Sequence, residues 1–191
     1  EHEVVTSDYY AKCFMASDQL RNCYSNEDQR WNGYLCPYGE AGDEKKSSKF
    51  ARELKFGACL RLSEAYLNRA EAYANLAKIG GNEYFGKALS DLNTIREKRI
   101  KNYASQAWTN STFNNNADNL IENCREERRR EFCFEGMRWF DLRRYGMQSF
   151  SHRLDESTNP GDEHSVEIGT ATPKWMLPIM QHHKESNPAL N

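Results

Sequence analysis

Residues 127–144 read ERRREFCFEGMRWFDLRR, and the placing of charges in this stretch decides how the chain packs. At about 100° per residue, a helix brings Ile121, Cys124, Trp139 and Leu142 onto one arc. Arg128, Glu131, Glu135 and Arg138 project into that same sector. The steps from Arg128 to Glu131, to Glu135 and to Arg138 are three or four residues, so opposite charges lie within reach of one another. The spacing predicts one packed helix over about 118–144 carrying a ladder of paired charges as a structural network. A solvated charged face is the alternative. If the ladder is buried, deleting one member strands its partner at a cost of about 3–5 kcal/mol. Gly136 in mid-helix costs about 1 kcal/mol relative to Ala, which fits a second backbone crossing close by.

Upstream, residues 60–78 are rich in alanine, with Leu62, Tyr66, Ala70, Tyr73 and Ala77 at helical spacing and Gly80-Gly81 as a stop. Residues 83–100 repeat the pattern through Phe85, Ala88, Leu89, Leu92 and Ile95. The short link between them forces antiparallel neighbours. Small alanines facing bulky residues, with a period near ~34 residues, resemble tetratricopeptide packing. The fold class expected is mainly α, built of tetratricopeptide-like helical hairpins with long loops and a few short strands. Three segments follow: loop-rich 1–59, a helical core over 60–144, and an irregular 145–191. Within the first, residues 7–24 suggest one or two short helices, Asn32 to Gly42 a loop, and Lys49 to Phe56 a short strand. In the last, Pro173 and Pro178 predict an extended Thr170 to Met180, with Trp175 as a core plug.

The central stretch also carries a family resemblance. Glu127-Arg128, Glu131-Phe132 and the run Glu135 to Gly146 resemble the signature helix of the SusD/RagB family, outer-membrane nutrient-binding lipoproteins of Bacteroidetes. Leu60 to Ala72 resembles the family's second signature, Leu177-Pro178-Ile179 with Asn187-Pro188 its closing stretch, and Asp28-Gln29-Arg30-Trp31 an upstream Asp-x-Arg element. The resemblance implies an α-α superhelix and capture of an oligosaccharide, as in starch utilisation systems. It further implies delivery to a SusC-like TonB-dependent transporter at the external face of the outer membrane. Family members are longer and begin with a lipidated cysteine, so residues 1–191 are expected to be the C-terminal portion of such a domain. Any lipid anchor is then expected outside it.

Composition sets the remaining bounds. A formal net charge of −2 gives no electrostatic case for nucleic acid, and Arg128 to Arg130 are interleaved with glutamates. No stretch approaches the ~20 apolar residues of a membrane span. A mean hydropathy of −0.92 fits long surface loops, the polar stretches lying at 39–49, 109–119 and 155–165. The six cysteines, at 13, 23, 36, 59, 124 and 133, form no zinc motif, and no metal or other cofactor is expected. A disulfide among Cys13, Cys23 and Cys36 and a wholly reduced set both remain open. Cys124 and Cys133 read as small core residues.

Sugar recognition needs flat aromatic faces beside amides, carboxylates or arginines, on chain that the core has not claimed. Trp31, Tyr34 and Tyr38 lie in one such stretch, beside Arg30, Asp28, Asn32 and Glu40, and Trp108 is a second choice. These are the candidate ligand contacts; loop anchoring is the alternative for each. Glu131 and Glu135 could suggest a glycosidase pair, but carboxylates on one helix face do not span a cleft. With no nucleophile elbow, phosphate loop or metalloprotease helix, no enzyme is expected. A helical-repeat scaffold binding a protein or peptide is the rival function. Burial of Trp31, Tyr34 and Tyr38 would favour it; a shallow groove lined by them would favour nutrient capture.

Overall fold

A computed structural model describes residues 16–38, 44–47, 61–153, 165–176 and 185–187. Two short helices, α1 (Asp18–Arg21) and α2 (Arg30–Tyr34), lead into strands β1 (Leu35–Tyr38) and β2 (Glu44–Ser47). The helical core follows as α3 (Leu62–Lys78), α4 (Glu83–Arg96), α5 (Ala117–Glu131) and α6 (Met137–Arg144). Strands β3 (Phe150–Arg153) and β4 (Ser165–Ile168) close the described chain with a 3-10 turn at Pro173–Trp175. The protein is mainly α, with two antiparallel two-stranded ribbons, β1–β2 and β3–β4.

Helix α3 buries Leu67, Ala70, Ala74 and Ala77, spaced by three or four residues along one stripe. Its end is set by Gly80 at φ +111°, where the Gly81 N–H donates to Leu76 O at 3.1 Å and the Gly80 N–H to Ala77 O at 3.3 Å. That is the paired bonding of a Schellman motif, and it turns the chain straight into α4. Both α4 and α5 pack on α3. Small alanines on α3 receive Phe85, Leu89, Leu92 and Ile95 from α4 and Leu120, Ile121 and Cys124 from α5 in one apolar cluster. Asn116 caps α5, its Oδ1 accepting from the N–H groups of Asp118 and Asn119.

The stretch 118–144 is two helices rather than one. The chain leaves helical geometry at Phe132, passes Phe134 at φ +61° and re-enters through Gly136 at φ +74°. Gly136 serves a left-handed backbone, not a close crossing: a Cβ there would meet nothing within 4 Å. The run 83–100 is helical to Arg96 and continues as turns. Beyond it, Gln29 N–H donates to Arg99 O and Lys101 N–H to Glu27 O, both at 2.9 Å, tying the start of α2 to the end of α4.

Two stretches read as loops contain the ribbons instead. Leu35 pairs with Ser47 and Tyr38 with Glu44; Phe150 pairs with Ile168 and Arg153 with Ser165. The expected extended run from Thr170 begins as a turn, and Pro173 opens a 3-10 turn that delivers Trp175 into a core of its own. Trp175 is 1% exposed, 5.0 Å from the Trp139 ring and 5.4 Å from that of Phe150. The expected strand at 49–56, the closing motif at 177–179, Glu40, and Cys13 and Cys59 lie outside the described residues. So does the Cys36 side chain. Cys23, Cys124 and Cys133 form no disulfide among the described residues, and burial pushes the Cys124 thiol up to about 12.

Candidate functional site

Charge buried beside α5 organises the region around the candidate aromatics. Arg30, the first residue of α2, is 2% exposed. Its guanidinium grips Asp28 through two bonds, Nε to Oδ1 at 2.9 Å and Nη2 to Oδ2 at 2.7 Å. Nη1 reaches across 97 residues of sequence to Glu127 Oε1 at 2.7 Å, and Glu131 Oε2 lies 3.2 Å away. Both glutamates are fully buried, one turn apart on α5. Glu127 also accepts from Arg130 at 3.0 Å and from Arg96 at 3.5 Å. Glu131 accepts from Arg99 at 2.9 Å and from Arg61 at 2.5 Å, and Arg61 pairs in addition with Glu135.

Such a cluster persists because the Glu127 and Glu131 carboxylates each meet several guanidiniums, Arg30 pairing closely at 2.7 Å with Asp28 and Glu127; Arg96 is held more loosely, at 3.5 Å from Glu127. Burial alone would raise the Glu127 carboxyl, but the guanidiniums of Arg30, Arg130 and Arg96 outweigh it and hold it at about 2. Glu131 is lowered in the same way, burial being overcome by the hydrogen bonds and charges of Arg99, Arg30 and Arg61. The consequence for acid is definite in sign. Glu127 is depressed in the fold below its ordinary 4.5, so its contribution is complete above about pH 5 and is lost as pH falls towards 2. Stability to urea should therefore drop by on the order of 3 kcal/mol over that window. A urea midpoint unchanged between pH 6 and pH 3 would contradict the pairing.

Of the four charges read as one ladder, three divide between two sets and the fourth, Arg138, joins neither among the described residues. Glu131 and Glu135 belong to the Arg30 cluster. Arg128 instead binds Asp141 on α6 at 2.8 Å and Asn68 on α3 at 2.6 Å. Asp141 in turn meets Arg144, which reaches Glu71 of α3 at 2.6 Å. Arg138 makes no ion pair among the described residues. The helix break does not make this division: Arg128 and Glu131 share α5, where Arg128 turns to Asp141 and Asn68 while Glu131 meets Arg30, and Glu135, inside the break, joins Glu131 through their common partner Arg61.

Of the candidate ligand contacts, Arg30 has its donors committed within the cluster and presents 2% of its surface. Trp31 and Tyr34 come together on α2 and are half-buried against Leu20, Tyr24 and Cys133. The Arg21 guanidinium lies over the Trp31 ring at 4.8 Å, the Tyr24 ring is tilted against it at 5.6 Å, and exposed Asn32 and Gly33 follow it. The Tyr34 hydroxyl stands 3.4 Å from Glu131. Tyr38 ends β1, and its side chain lies outside the described residues. Trp108 is elsewhere. Arg96 covers its ring at 3.6 Å, Phe113 meets it edge-on at 5.3 Å, and Asn93 bonds both its N–H and its carbonyl.

Sequence reasoning missed Arg61, Arg96, Arg99, Arg130 and Glu127 as members of the cluster. A signal existed: Arg96 and Arg99 follow directly on the apolar stripe of Leu92 and Ile95, where a solvated charge would not be expected. Among the described residues no group of three or more His, Cys, Asp or Glu could hold a metal ion, and no helix is long and apolar enough to cross a membrane.

Comparison with known proteins agrees with the motifs. No curated protein matches the chain. The family model described as the SusD family matches residues 7–191. A match over nearly the whole length, on a helical core joined by buried Arg–Glu pairs, makes this chain a member of the SusD family, a family of nutrient-binding proteins of the cell surface rather than of enzymes.

Proposed function

We propose that the protein captures an oligosaccharide at the external face of the outer membrane and passes it to a SusC-like TonB-dependent transporter, held at the membrane by a lipid anchor. The observation that carries this reading is the setting of Trp31. It rides on a short helix whose first residue is locked by Asp28, Glu127 and Glu131, so the indole is held in place before any ligand arrives. Pre-ordering of this kind lowers the entropy cost of binding. The part of the ring that Arg21 and Tyr24 leave open would take the C–H face of a sugar, and Arg21 and Asn32 its hydroxyls. Tyr34 and Tyr38 extend the same stretch towards β1. The network at Arg30, Glu131 and Glu135 serves this face by position alone, and Trp108 has the weaker claim because Arg96 already occupies its ring.

A protein partner is the second reading, and exposed apolar side chains on the helices favour it. Ile79 is 80% and Leu62 73% exposed, at opposite ends of α3. In the first reading these ends are where the transporter would sit, so the two functions are compatible.

The test is a glycan array probed with wild-type protein and with the Trp31→Ala, Tyr38→Ala double variant. Wild type is expected to bind at least one oligosaccharide, and the double variant to lose roughly 5- to 150-fold in affinity at an unchanged melting temperature, as removal of ~1–3 kcal/mol of ring contact requires. Undiminished binding by the double variant would remove this face from the account.

A further inference from the structure

A cavity of about 270 Å³ opens between α1 and the junction of α5 with α6. Its apolar walls are Leu20, Phe132, Phe134 and Met137. Its charged groups do not balance. Arg128, Arg129 and Arg138 line it together with a single carboxylate, Asp141. That carboxylate is already shared by Arg128 at 2.8 Å and Arg144 at 3.0 Å. Arg129 and Arg138 have no ion-pair partner among the described residues, and they lie close enough to repel one another: burial first, and then the Arg129 charge, push the Arg138 guanidinium down. Like charges brought together in a partly desolvated wall call for an anion between them.

Two further groups in the wall want an acceptor. Helix α6 begins here at Gly136 with no side-chain cap, so among the described residues the N–H groups of its first turn have no side-chain acceptor. Trp139 keeps its indole Nε1 buried with no partner among the described residues. Ser17 and Cys133 also line the cavity, their side chains already accepting from Leu20 N–H and the Tyr24 hydroxyl, so the polar groups there that still want a partner are donors.

We propose that this cavity binds a small carboxylate with an apolar body, the carboxylate held by Arg129, Arg138 and the first turn of α6, the body packed among Leu20, Phe132, Phe134 and Met137. The volume equals roughly nine waters at ~30 Å³ each, which suits one aromatic ring or a short branched chain bearing the acid. The site does not use Trp31 and stands whether or not the oligosaccharide face does.

Phenylacetate is the probe, titrated into the 191-residue protein labelled with nitrogen-15 while the Trp139 indole N–H resonance is followed, assigned with Trp139→Phe. A saturable shift with a Kd on the order of 1 mM or tighter is expected. Arg138→Met keeps the stem and removes the charge, and because Arg138 pairs with nothing described it should melt like wild type while binding at least about tenfold more weakly. The neutral isostere phenylacetamide should show the same loss. Absence of a saturable shift, or equal affinity in folded Arg138→Met, would overturn the proposal. Inorganic phosphate binding as tightly as phenylacetate would overturn the apolar half of it.

Discussion

Glu131→Ala is expected to cost about 3–5 kcal/mol and to lower the melting temperature by roughly 6–20 °C, at ~2–4 °C per kcal/mol for a chain of this length. The side chain is fully buried and holds Arg30, Arg99 and Arg61 at once. Removing it leaves Arg30 with Asp28 and Glu127, Arg61 with Glu135, and Arg99 with no other ion-pair partner among the described residues, so the positive charge of the site is no longer matched. Glu122→Ala is the matched control. Glu122 lies on the same helix but is 66% exposed and pairs only with Arg125, so its loss should stay within about 0.5 kcal/mol. Thermal melts of both variants decide the matter. Equal melting temperatures would mean that water reaches the network and that α2 is held by something else.

Trp175→Ala should be comparably severe, at about 3–5 kcal/mol, by a different mechanism. The indole is 1% exposed, packs on Trp139 and Phe150, and donates from Nε1 to Gly169 O at 2.8 Å. Its removal leaves a cavity, breaks two aromatic contacts and unfastens the β3–β4 ribbon from α6. Trp175→Phe restores most of the volume but not the hydrogen bond, and should recover all but about 1–2 kcal/mol. Urea midpoints for the pair, with near-ultraviolet circular dichroism as the probe of ring packing, would separate volume from hydrogen bonding. An alanine variant as stable as wild type would show that the turn at Pro173–Trp175 does not anchor the chain.

Local periodicity made the α3–α4 hairpin legible: the stripe read as Leu62, Tyr66, Ala70, Tyr73 and Ala77 located the helix, and Gly80-Gly81 its end, although the buried face is turned to Leu67, Ala70, Ala74 and Ala77, with Tyr66 and Tyr73 at its margin and Leu62 exposed. The charge pattern at 127–144 likewise announced its own importance. Its geometry was not legible. A glycine inside a strong helical pattern admits either a close crossing or a left-handed turn, and the choice at Gly136 depends on what surrounds it. The ribbons escaped notice because each strand is only four residues long, too short for even the alternation of Ser165 to Ile168 to stand out, so pairing rather than propensity defines them. Apart from Arg130 on the same helix, the partners of Glu127 and Glu131 come from Arg30, Arg61, Arg96 and Arg99, all distant in sequence. Spacing along one helix cannot supply contacts that the folding of four segments creates.

The same network bears on function through α2. If Arg30 fixes the helix that carries Trp31, then the aromatic stretch is a prepared surface and not a loop that orders on contact. The most direct test is a crystal structure of the protein with the oligosaccharide that the array selects. The account predicts a sugar ring within about 4 Å of the Trp31 indole, with Arg21 or Asn32 at its hydroxyls and the Arg30 pairs unchanged. Sugar density on any other surface, with the Trp31 face empty, would contradict it.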